Sequence, residues 1–207
     1  MRSFIIILFS LLVHQSFAQI PLTSTEIDQF KQHVKQTAQQ TETIVSDFVQ
    51  EKQMEFLNDG AISEGILTFK SPDAIRWEYT KPYTYEVIFK GNQLTVLDAG
   101  STKNIDLSSN KLFKSFNSLL INSIKGDMFN DEEFSISYYK SDKGFTVHFI
   151  PKEKRMSRFI ASFQLSFSEK NYQVTQLKLI EPSDDFTLIT FKNKQINVPV
   201  SNSVFKM

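Results

Sequence analysis

Between Gly65 and Pro82 the chain reads Gly-Ile-Leu-Thr-Phe-Lys-Ser-Pro-Asp-Ala-Ile-Arg-Trp-Glu-Tyr-Thr-Lys-Pro, and few arrangements other than a two-stranded hairpin suit it. Ile75, Trp77 and Tyr79 alternate with Ala74, Arg76 and Glu78, the period of two expected of a strand with one apolar and one wet face. Ser71-Pro72-Asp73 supplies the turn, because proline fixes its own φ and biases the preceding residue away from helix. The hairpin carries a row of large rings and no catalytic group, which points to packing or binding rather than chemistry.

The same alternation extends along most of the chain. Strands are expected over Thr43 to Phe56, Ile62 to Lys70, Ala74 to Tyr79, Tyr83 to Lys90 and Gln93 to Leu97, with Asn58-Asp59-Gly60 and Gly91-Asn92 at the joints. A second set follows over Phe134 to Lys140, Phe145 to Pro151, Phe159 to Ser168, Tyr172 to Glu181 and Phe186 to Lys192. Short connections rich in turn residues argue for consecutive antiparallel hairpins. Two segments break the pattern. Thr23 and Glu26 have capping-box spacing, and Ile27, Phe30, Val34 and Ala38 recur at helical intervals, so Thr25 to about Gln39 should be an amphipathic helix. Leu112, Phe113, Phe116, Leu119, Leu120 and Ile124 make a second apolar stripe over Ser109 to Ile124, ending at Gly126. The sum is an α+β domain, with one antiparallel sheet of about ten or eleven strands, large enough to curl.

A basic start, an apolar run from Phe4 to Val13 and Ser16-Phe17-Ala18 read as a secretory signal peptide over residues 1–18, leaving 19–207 as a single domain. About ten apolar residues are too few to span a bilayer, which needs roughly twenty. No cysteine follows the run to accept a lipid, and the chain has none at all, so disulfides, thiol catalysis and cysteine metal sites are excluded. Loss of Arg2 with the leader leaves 22 basic against 23 acidic residues, and nucleic acid is not an expected partner.

The hairpin segment, Gly65-x-Leu67-x-Phe69-x-x-Pro72 followed by a Trp77 strand that ends near Pro82, resembles the LolA family of periplasmic lipoprotein carriers. Upstream, Phe48-Val49-Gln50 resembles the family's F-x-Q strand; downstream, Val87-Ile88-Phe89, Gly91 and Leu94 resemble its next hairpin, with a weaker echo in Thr187 to Phe191, Asn197 and Val204-Phe205. The resemblance implies a curved, unclosed half-barrel whose concave apolar face is covered by helices acting as a lid. It further implies a soluble, monomeric periplasmic protein without cofactor. Such a protein takes lipoprotein acyl chains from an inner-membrane ABC transporter and passes them to an outer-membrane acceptor. Another amphiphile, a free fatty acyl or polyene lipid, is an alternative cargo, and an exported adaptor with a packed core is an alternative of another class.

On this resemblance the cavity wall comprises Phe48, Ile75, Trp77, Tyr79, Tyr85, Val87 and Phe89, with Phe30 and Val34 closing one side and Phe113, Phe116 and Leu120 on the lid. Taken alone, alternating aromatics are more often simple core. The mature chain holds 17 of the 20 Phe and the single Trp, rings able to wall an acyl site where each CH₂ withdrawn from water contributes about 0.8 kcal/mol. The family pattern has a basic residue before the hairpin proline to latch the lid; Ser71 stands there, and Lys70 or Arg76 are the nearby substitutes.

Other chemistry finds little support. His33 and His148 lack metal-ligand spacing, no G-x-S-x-G elbow is present, and Asp131-Glu132-Glu133 and Asp184-Asp185 sit at turns. The protein is therefore read as a non-enzyme without metal. Lys152, Lys154, Arg155 and Arg158 form the densest basic run, ordinarily a solvated loop and otherwise a docking patch for an acidic transporter surface or anionic headgroups.

Overall fold

A computed structural model describes residues 19–54, 60–107 and 122–206. Its strands are β1 (Ile20–Pro21), β2 (Thr43–Gln53), β3 (Ala61–Lys70), β4 (Ala74–Lys81), β5 (Tyr85–Lys90), β6 (Gln93–Asp98), β7 (Ser101–Asp106), β8 (Phe134–Ser141), β9 (Gly144–Pro151), β10 (Ser162–Phe167), β11 (Val174–Ile180) and β12 (Phe186–Ile196). All pair antiparallel in one sheet ordered β1-β8-β9-β10-β11-β12-β2-β3-β4-β5-β6-β7. β1 and β7 are unjoined edges, so the barrel stays open. Across its concave face lies helix α1 (Ser24–Gln39).

Helix α1 begins where its cap predicts. Glu26 N–H donates to Thr23 Oγ1 at 3.4 Å while Thr23 N–H donates to Glu26 Oε2 at 2.8 Å, a reciprocal box that satisfies two orphan donors. The Thr23 hydroxyl, which donates to Glu26 Oε2 at 2.7 Å, and the Thr23 N–H together hold the Glu26 carboxyl below its ordinary pKa. Phe30 and Val34 are the buried face of the helix. Of the expected second helix, residues 122–125 are helical and the remainder lies outside the described residues. Its end is a Schellman closure: Gly126 takes φ +72° and Asp127 N–H donates to Asn122 O at 3.0 Å. A Cβ on Gly126 would stand 3.0 Å from Lys35 Cα, so this end packs directly on α1.

The sheet has twelve strands, more than the alternation predicts. β1 is two residues long, too short to show a period. β7 reads Ser-Thr-Lys-Asn-Ile-Asp, a mostly exposed edge strand in which Ile105 alone packs against the core, so it carries no apolar rhythm. The strand expected from Phe159 starts at Ser162, because Met156–Arg158 forms a 3₁₀ turn and the Phe159 and Ile160 N–H groups donate back to Met156 O. β12 continues past Lys192 to Ile196 through a bulge between Lys192 and Gln195.

One glycine explains the hairpin motif. Phe48, Gly65 and Tyr79 lie in register across β2, β3 and β4, and a Cβ on Gly65 would meet Glu78 O at 2.1 Å and the Phe48 ring at 2.5 Å. The missing side chain lets Phe48 fold over the strand, with its ring 5.0 Å from Trp77 and 5.1 Å from Tyr79. On the convex side the C-terminal segment crosses β2 to β5. Thr43 Oγ1 donates to Val198 O at 2.6 Å, and Phe205 is buried with Ala74 and Ile88.

Candidate functional site

Register makes the concave face apolar by rows. One row runs Ile44, Phe69, Ile75, Phe89 and Leu94; the next runs Ser46, Leu67, Trp77, Val87 and Val96. Across β12 the same face continues as Ile189, Leu177, Leu165, Val147 and Tyr138. Strand alternation sends the intervening polar residues outward, and α1 must cover what remains.

The cover is incomplete. Between α1, the helical end at residues 122–125 and the sheet lies an apolar cavity of about 80 Å³. Val34, Ala38, Leu67, Ile75, Trp77 and Ile124 line one side; Leu165, Phe167, Val174, Leu177 and Phe191 line the other. Its polar edge is Thr37, Thr41, Ser123, Gln173 and Lys194. The described residues include no group of three or more His, Cys, Asp and Glu able to hold a metal ion.

The site residues named from sequence divide into several environments. Val34, Ile75 and Trp77 line the cavity. Phe30, one turn earlier on α1, is instead enclosed by rings of Phe129, Tyr138, Phe145, Phe167 and Tyr172 at 4.9–6.2 Å. Phe48 is buried against Trp77 and Tyr79, off the cavity surface. Tyr79 stacks on Tyr85 at 4.1 Å and donates to Gln50 Oε1 at 2.9 Å; burial pushes its hydroxyl pKa far up. Val87 and Phe89 share the concave face farther along β5. Phe113, Phe116 and Leu120 lie outside the described residues. Trp77 is 8 % exposed and its indole N–H lacks a hydrogen bond of good geometry, although the Tyr79 hydroxyl is near enough to feel it.

Neither proposed substitute for the latch faces the cavity. Arg76 and Lys70 both project from the convex side. Arg76 Nε donates to Glu86 Oε2 at 2.9 Å and Nη1 reaches Glu78 Oε2 at 2.8 Å, bonds that raise its pKa. Lys70 Nζ donates to Val200 O at 2.7 Å, pinning the C-terminal segment. Alternation decides this: Arg76 pairs with Thr68 and Ile88 on the face opposite Trp77.

Sequence reading missed the C-terminal half of the wall. The alternation Phe163, Leu165, Phe167 marks a half-buried strand, but nothing local says that it faces Trp77 across α1. Lys194 was missed for another reason. Asn193 takes φ +50° in the β12 bulge and its Nδ2 donates to Asp47 Oδ2 at 2.7 Å; the extra residue swings Lys194 onto the concave face behind Phe191, as bulges do. Burial lowers the Lys194 pKa to about 8.

Lys152, Lys154, Arg155 and Arg158 are all exposed on the β9–β10 connection, where Lys152 Nζ donates to Asp131 O at 2.6 Å. Phe159 beside them is 54 % exposed.

The family model for outer membrane lipoprotein carrier protein LolA matches residues 39–207. The chain belongs to that LolA family. It is 24 % identical over 198 residues to the outer-membrane lipoprotein carrier protein of Francisella tularensis, covering 96 % of this chain and 88 % of that one. Among solved structures it is similar to MucB, with TM-score 0.54 and 10 % identity over 89 % of this chain and 63 % of that one. An uncharacterized conserved protein from Thermus thermophilus gives TM-score 0.54 and 5 % identity over 88 % and 93 % of the two chains. At those identities the structural likeness speaks for the fold alone.

Proposed function

We propose that this protein carries the acyl chains of lipoproteins from the inner to the outer membrane, shielding them between α1 and the concave face. The observation that carries this reading is the cavity walled by Val34, Ile75 and Trp77 in a chain of the LolA family. Residues 1–18 act as the export signal, and the mature domain from Gln19 works as a soluble periplasmic monomer without cofactor or catalytic role. None of the helices among the described residues is long and apolar enough to cross a membrane.

A cavity of about 80 Å³ is too small for a whole acyl chain, so loading moves the helical cover off the sheet. A carrier must release its cargo; besides apolar packing, α1 is held by the surface ion pairs Lys31–Asp131 and Lys35–Asp127, contacts weak enough to open at little cost. Loading and delivery partners follow from the family: an inner-membrane ABC transporter and an outer-membrane acceptor. Lys152, Lys154, Arg155 and Arg158, with exposed Phe159, are the proposed docking patch.

The test is to add purified protein from Gln19 onward to spheroplasts carrying labelled lipoproteins. Release of lipoproteins into solution as a complex with the protein is expected. No release, with no acyl lipid bound, refutes the reading. Charge reversal at Lys154, Arg155 and Arg158 that leaves the release rate untouched retires the docking patch alone.

A further inference from the structure

We propose that Lys194 recognises an anionic oxygen group at the head of an amphiphile whose acyl chain occupies this cavity, either the carboxylate of a long-chain fatty acid or the phosphate of a glycerolipid. The proposal goes beyond the lipoprotein reading above: it uses the same acyl cavity but assigns it a second cargo, because the lipidated cysteine of a lipoprotein bears neither a carboxylate nor a phosphate.

Lys194 is the one charged side chain among the described residues that line the cavity; Thr37, Thr41, Ser123 and Gln173 supply neutral groups, and no Asp or Glu lines it. Its Nζ donates to the backbone oxygen of Val174 and stands 5.6 Å from the Phe191 ring centroid. Among the described residues every ion pair uses another cation. Residues 108–121 contain no Asp or Glu either. An ammonium carries three donors, and one is accounted for by Val174.

A half-buried lysine normally extends its head to water or meets a carboxylate. Here the β12 bulge does the opposite and turns the ammonium toward Phe191 and the apolar wall. Burial alone lowers its pKa, with no acidic neighbour acting against that, so the free protein bears an unneutralised charge that a bound anion would relieve. Ile75, Trp77, Leu165 and Leu177 then receive the chain while Lys194 fixes the head, the usual division between apolar lining and a few polar anchors in a ligand site.

Bromine quenching of Trp77 emission tests this with four probes at neutral pH: 9,10-dibromostearic acid, its methyl ester, a phosphatidic acid with the same dibrominated chain, and the corresponding diacylglycerol. A charge-assisted bond should favour an acid over its neutral partner about tenfold or more, and Lys194→Met should abolish that preference, so that acid and neutral partner bind the variant alike. Preference within the first pair supports a fatty acid; preference only within the second supports a phospholipid. Equal binding of acid and neutral partner by the wild type overturns the Lys194 proposal and leaves the acyl cavity standing. Failure of all four probes to quench overturns this proposal, whereas the lipoprotein reading stands or falls by the release assay above. The wild-type comparison needs no variant to fold.

Discussion

Replacing Lys194 by Met keeps most of the aliphatic stem and deletes the charge. The native pKa of about 8 against an ordinary 10.5 means that the fold disfavours the ammonium by about 3 kcal/mol, or about 2 kcal/mol once screening at its exposed edge is allowed for. The variant forfeits the hydrogen bond to Val174 O, worth about 1 kcal/mol, so at pH 7 it should be about 1 kcal/mol more stable than the wild type. The sign reverses in alkali. Between about pH 8 and 10.5 the unfolded chain binds more protons at this site than the native state, so wild-type stability rises with pH relative to the variant. Above 10.5 both states hold a neutral amine and the variant should be about 1 kcal/mol the less stable. Urea unfolding of lipid-free protein, followed by Trp77 emission from pH 7 to 11, reads the difference, and subtraction cancels the other titrating groups. A difference that stays constant across that range would refute the claim that Lys194 is a buried, unneutralised cation.

Gly65→Ala places a methyl group against Glu78 O and the Phe48 ring; overpacking of this kind costs about 1–3 kcal/mol, and because backbone cannot yield, the upper part of that range is expected in denaturant melts. Tyr79→Phe removes the donor to Gln50 Oε1 and should cost about 1 kcal/mol with the fold intact by circular dichroism. His148 is depressed in pKa by burial, so the unfolded chain binds more protons below pH 6.5 and stability falls on acidification; in His148→Gln that part of the pH slope should vanish from melts taken between pH 7 and 5.

Much of this protein was legible before folding. The capping box at Thr23 fixed where α1 starts, since both partners lie within one turn. The hairpins at Ser71-Pro72-Asp73 and Gly91-Asn92 were readable because the large concave-facing residues of their strands recur at every second position, although Ala74 and Ile88 between them are buried under the C-terminal segment. Where that pattern was missing, the reading failed too: β7 has Ile105 as its one large apolar residue, and β1 is too short to repeat.

The candidate site was legible only in part. Ile75 and Trp77 belong to a patterned strand, and Val34 to a patterned helix, so their inward direction is a local property. That Arg76 and Lys70 point away from the cavity is equally local once the turn register is known, because alternation sends them to the face opposite Trp77. Phe48 over Gly65 and the enclosure of Phe30 by five rings are not local. Each depends on residues brought together by strand pairing over long sequence separations.

The amino-acid sequence by itself determined the antiparallel hairpins, the helix that covers them and their apolar excess, because period, caps and turns act within a few residues. Tertiary structure alone decided which apolar residues enclose space rather than one another, and it alone turned Lys194 inward. A bulge between Lys192 and Gln195 is set by pairing with β2 and by the Asn193 bond to Asp47, so the face on which that lysine emerges exists only after two strands far apart in the chain have met.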